Sequence, residues 1–122
     1  MDTEKTTAVE GRPRPEARRH PRYRLLRDLW IKSPTCGVRK AHTIDISESG
    51  LSALLDVEIP LNEFVELQFT VPAGDVTIYA TVRQHQAFRY GFEFSRSKRA
   101  QGLIQATCEA LEKQGALKAG NE

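Results

Sequence analysis

Between residues 23 and 94 the chain divides into short stretches in which apolar side chains recur at every second position, with no helical period among them. The clearest is Phe64–Val71, where Val65, Leu67, Phe69 and Val71 fall on one face and Pro72 closes the run. Successive side chains of a strand point to opposite faces, so this spacing predicts a half-buried strand. Tyr23, Leu25, Leu29 and Ile31 repeat at even spacing up to Ser33-Pro34, but Leu26 and Trp30 interrupt the alternation. That strand is therefore either buried on both faces for part of its length or bulged. Further strands are predicted over Val38–Ile46, Leu51–Val57, Val76–Val82 and Tyr90–Phe94, with turn residues at Ser47-Glu48-Ser49-Gly50 and Gly74-Asp75. Six short strands joined by turns predict an all-β, antiparallel barrel or sandwich.

From Ser97 to Lys113 the period changes. Ala100, Leu103, Ile104, Thr107, Cys108 and Leu111 follow a three-and-four repeat, which predicts an amphipathic helix able to close one mouth of a small barrel. Residues 1–17 contain Pro13 and Pro15 and almost no apolar side chains, so they predict a disordered arm, and residues 115–122 predict a polar tail. Residues 18–114 remain as one domain, since 122 residues leave room for a single core. No stretch approaches the ~20 apolar residues of a membrane span, and the first thirty lack the apolar region of a secretory signal. A cytoplasmic location is expected.

Residues 11–27 carry seven arginines against one acid, Glu16, whereas the chain after residue 27 has ten bases and twelve acids. The formal charge of +2 therefore conceals a basic arm, which suits an anionic partner. All seven bases are arginine, whose planar fork matches phosphates and purine edges better than an ammonium does. Cys36 and Cys108 have no metal-ligand or redox spacing and are expected as free thiols; His20, His42 and His85 are scattered singly. No metal and no cofactor are implied. No nucleophile with its base and no phosphate-cradling glycine loop is present, so the chain is not expected to be an enzyme.

Two constellations flank the first strand pair. Arg18-Arg19-His20-Pro21-Arg22 is an R-x-x-x-R with an extra arginine inside it, and Asp45-Ile46-Ser47-Glu48-Ser49-Gly50 is a D-x-S-x-x-G at a strand junction. In this order, and with the Gly91-Phe92-Glu93-Phe94 strand and the closing helix, they resemble the PilZ family over Ala17 to Leu111. The resemblance implies a six-stranded antiparallel β-barrel capped by a C-terminal α-helix. It further implies binding of the bacterial second messenger cyclic di-GMP, with ligand contacts on Arg18, Arg19, Arg22, Asp45, Ser47 and Gly50. In this family the residue before the first arginine, here Ala17, bears on whether one ligand or an intercalated pair is held; alanine leaves that open.

The residue types suit such a ligand. Arginine donates in pairs to phosphate oxygens and to guanine O6 and N7. A carboxylate such as Asp45 accepts from the guanine N1 and N2 donors, Ser47 either reaches a phosphate or holds the turn, and Glu48 adds an opposing negative charge. Gly50 permits a positive φ or a close approach of ligand, or is an ordinary turn glycine. Ligand binding would fold the arm onto the barrel and change the surface shown to an unidentified downstream protein. Two other readings compete: a nucleic-acid-binding barrel using the same arm, and a PilZ-like adaptor that binds no nucleotide. The first is disfavoured because Phe64, Phe69, Phe92 and Phe94 are expected in core positions, which leaves no exposed aromatic platform for stacked bases.

Overall fold

The computed structural model describes residues 20–115. Seven strands and one helix follow in order: β1 Tyr23–Arg24, β2 Asp28–Ser33, β3 Gly37–Ile46, β4 Gly50–Leu54, β5 Phe64–Val71, β6 Gly74–Gln86, β7 Arg89–Phe94 and α1 Lys98–Lys113. All pairings are antiparallel, in the order β3-β2-β5-β6-β7-β4, and β4 returns to pair with β3. The sheet is thus a closed six-stranded barrel. The short β1 extends the β2 side of β3, pairing Tyr23 with Ile46 and Arg24 with Asp45.

β1 and β2 are two pieces of one strand, separated by a bulge at Leu25–Arg27. Of the two alternatives for this strand the bulge is the one realised, since Leu26 and Trp30 are exposed while Leu25, Leu29 and Ile31 are buried. A bulge leaves backbone groups without ladder partners, and the Thr43 hydroxyl takes them up. It accepts from the Arg27 N–H at 2.8 Å and donates to the Leu25 carbonyl.

Inward residues of all strands form one core with Ala100, Ile104 and Cys108 of the helix. The helix packs across β6 and β1, is capped by the Ser97 side chain, which accepts from the Ala100 N–H, and is tied to β1 by Tyr23 Oη donating to Glu112 at 3.0 Å. Both cysteines are free; burial is the main cause pushing the Cys108 thiol up to about 12. No helix among the described residues is long and apolar enough to cross a membrane.

One expectation fails here. Phe69 and Phe92 are buried and Phe94 packs against the core, but Phe64 is 53% exposed and stacks on Tyr79, with ring centroids 5.1 Å apart. The alternation of β5 requires this: with Val65, Leu67, Phe69 and Val71 inward, Phe64 lies on the outer face with Glu66, Gln68 and Thr70.

Two close contacts hold β4 and the connection that leaves it in the barrel. Tyr90, fully buried, donates through its hydroxyl to the Val57 carbonyl at 2.7 Å and accepts from the Ile59 N–H at 3.0 Å, fastening the β4–β5 connection. At the start of β4, Gly50 is opposite Glu93, and a Cβ there would lie 2.1 Å from the Phe92 carbonyl oxygen. Tyr90→Phe strands the buried Ile59 N–H and the partly buried Val57 carbonyl and is expected to cost about 1–3 kcal/mol, read as a lower urea midpoint at unchanged m. Gly50→Ala must force β4 away from β7 and is expected to destabilise by at least about 1–3 kcal/mol. A thermal midpoint within a degree of wild type would show that β4 is not held as tightly as this geometry requires.

Candidate functional site

The D-x-S-x-x-G segment runs from the end of β3 into β4. The register between these strands shifts between Thr43 and Asp45, so Ile44 is an extra residue. Since side chains alternate with period two, this bulge exchanges the faces: Ala41 is inward before it and Ile46 after it, which turns Asp45 to the outside of the barrel. A regular strand would have put the carboxylate in the core.

Asp45 is nevertheless only 1% exposed, because guanidinium groups cover it. Arg22, just before β1, donates from Nε to Asp45 Oδ1 at 3.2 Å and from Nη2 to Ser52 Oγ at 3.0 Å. Arg89, at the start of β7, donates from Nη2 to the other carboxylate oxygen at 3.3 Å. The arginine side chains remain 39% and 57% exposed, respectively. A buried carboxylate is tolerable only when paired, and two guanidiniums on one carboxylate leave the cluster with a surplus positive charge at the surface.

Ser47 is also 1% exposed, and its hydroxyl accepts from the N–H groups of Ser49 and Gly50, each at 3.2 Å. In this conformation it holds the turn. The Ser47 N–H completes the turn by donating to the Gly50 carbonyl at 2.8 Å. Gly50 does not have a positive φ; its glycine is required by the approach of the β7 backbone. Glu48 lies 4.0 Å from His20, at the edge of the site. Arg22, Asp45, Ser47 and Gly50 therefore come together around one strand junction, while Arg18 and Arg19, with Ala17, lie outside the described residues.

Arg89 and Ser52 were not singled out from sequence. Arg89 is 44 residues from Asp45 and sits in a polar stretch with no local motif, so only the β4–β7 pairing brings it in. It also lines an open cleft of about 560 Å³ with Leu61, Arg83, Gln84, His85 and Gly91. A second cleft of about 600 Å³, beside Trp30, Gln68 and Thr77, includes none of the motif residues. Among the described residues no group of three or more metal-ligating side chains is gathered.

No curated protein sequence matches the chain closely enough to count as a relative. Solved structures do. The PilZ domain of CeSA from a cellulose-synthesizing bacterium superposes with a TM-score of 0.64 at 12% identity, covering 75% of this chain and 97% of that one. The PilZ domain of YcgR from Escherichia coli, solved with cyclic di-GMP, gives 0.66 at 16% identity over 80% of this chain and 93% of that one. Escherichia coli YcgR in complex with cyclic di-GMP gives 0.68 at 19% identity, covering 80% of this chain and 47% of that longer one. These likenesses establish the barrel and helix architecture. The family model described as PilZ domain matches residues 16–110, most of the chain, and together with the barrel this shows that the chain belongs to the PilZ domain family.

Proposed function

We propose that this chain is a non-catalytic cyclic di-GMP-binding domain, in which Arg22 and the arm arginines Arg18 and Arg19 donate to the ligand's phosphates and guanine O6 and N7. The observation that carries the reading is Arg22 held on the buried Asp45 beside the Ser47–Gly50 turn. A guanidinium fixed at two of its nitrogens retains further donors for a ligand and loses little rotamer freedom on binding. The YcgR structures that share this fold contain cyclic di-GMP, which supports the same ligand class here.

In this reading Asp45 works chiefly by holding Arg22, because both of its oxygens are taken by guanidiniums. Guanine N1 and N2 donors would reach it only where a guanidinium moves aside. Ser47 and Gly50 act by shaping the turn. Ligand draws the arm onto the barrel, and the rearranged surface is what a downstream protein reads. The working compartment is the cytoplasm, where such a messenger is made.

A nucleic-acid reading keeps one specific observation in its favour: Trp30, Phe64 and Tyr79 are exposed aromatics on the outer face of β2, β5 and β6. No motif residue lies among them. Titration calorimetry separates the two readings. Cyclic di-GMP is expected to bind, and GMP and cyclic di-AMP to bind much more weakly; tight oligonucleotide binding at ~0.15 M salt, indifferent to cyclic di-GMP, would favour nucleic acid.

Arg22→Ala is expected to cost about 1–3 kcal/mol of cyclic di-GMP binding, roughly ten- to more than a hundredfold in affinity. Its fold is expected to survive, since Arg89 remains on Asp45. Arg39, exposed on β3 and away from the turn, is the control. Arg39→Ala should change affinity only by a small, salt-screened amount, and equal losses in the two variants would mean that bulk charge rather than the motif binds the ligand.

A further inference from the structure

The motif reading uses one of the two guanidiniums on Asp45 and leaves the other, Arg89, without a role. As a purely structural ion pair Arg89 adds little, since Asp45 is already neutralised by Arg22 and the Arg89 side chain is 57% exposed. Its Nε and Nη1 make no hydrogen bond among the described residues.

The surface around Arg89 is shaped by strand register. Asp45 pairs with Ser52, Ser52 with Gly91 and Gly91 with Gln84, so these four residues form one row across β3, β4, β7 and β6. The β6 register shifts between Val82 and Gln84, and this third bulge turns Gln84 outward to face Gly91. Ser52 and Gly91 stand low in the row, between the Arg22–Asp45 pair at one end and the open cleft at the other. A Cβ at Gly91 would lie 3.2 Å from Gln84 Cβ and Oε1, so a larger residue would crowd the trough. Arg89 stands in the adjoining row, paired with Leu54 and Gln86, and bridges Asp45 and the cleft.

We propose that Arg89 is a further ligand-binding residue of this site, donating to a phosphate of cyclic di-GMP from the barrel while one guanine lies along the Ser52–Gly91 trough toward Gln84. The inference rests on the cyclic di-GMP reading and goes beyond it: the rigid part of the site, present before the arm engages, carries two guanidiniums, one from each side of Asp45. The surplus positive charge of the cluster is what a phosphate would neutralise.

The test uses the full chain and cyclic di-GMP as the probe. Calorimetry on wild type, Arg89→Ala and Arg39→Ala is combined with wild-type NMR of the arginine Nε–H signals. Arg39 is an exposed arginine on the same strand as Asp45, bonded to the Cys36 carbonyl. Arg89→Ala is expected to weaken binding about ten- to a hundredfold at a near wild-type melting temperature, with Arg39→Ala within about threefold. The Arg89 Nε–H signal should shift on titration and saturate together with that of Arg22. If wild type binds but Arg89→Ala binds as well as it does, Arg89 is no ligand residue and the cyclic di-GMP reading stands. If affinity falls while the Arg89 signal stays still, the residue acts only through Asp45 and the proposal is overturned. No binding by wild type overturns the cyclic di-GMP reading itself, and this proposal with it.

Discussion

Closure of the barrel at β4 is the constraint on which the rest of this structure depends. β4 is five residues long and must pair on both sides, with β3 and with β7, to complete the ring. The space for it is so narrow that its first residue has no room for a β-carbon beside the Phe92 carbonyl. The Ser47 hydroxyl tightens the turn leading into it, and the Tyr90 hydroxyl fastens the connection leaving it. A closed ring removes the unpaired edges that an open sheet of this size would expose.

The same closure builds the candidate site. Asp45, Ser52 and Arg89 belong to three strands that are neighbours only because β4 bridges β3 and β7. Burying a carboxylate is costly unless it is paired, and here the partners are arginines that stay partly in water. The burial does two things at once: it fixes Asp45, and it holds two otherwise mobile guanidiniums at one place on the surface. Bulges contribute as much as the regular ladder. One at Ile44 brings Asp45 out of the core, one opposite Gly91 turns Gln84 outward, and one at Leu25–Arg27, patched by Thr43, separates β1 from β2.

Phe64 shows how far local pattern can be trusted. Its aromatic character suggested the core, but parity within β5 assigned it to the outer face, and parity decided the outcome. A strand cannot place adjacent residues on one face without a bulge, so alternation outweighs residue type at its ends. The exposed pair it forms with Tyr79 lies apart from the motif residues, on strands that do not contribute to them.

The sequence by itself determined the inward face of the unbroken strand Val65–Val71, the turn chemistry of Ser47–Gly50, the three-and-four stripe of the helix and the two motifs in their order, because each depends on residues within a few positions of one another. It did not determine where bulges reverse a strand's faces, nor which distant side chains meet. A single inserted residue at Ile44 decides whether Asp45 faces core or solvent, and nothing in the residue types nearby announces it. Whether Arg89 reaches Asp45 depends on the register of β4 against β3 and β7, which is set by the packing of the whole inner face and the closing of the ring. Those are long-range conditions, met only once the barrel has formed.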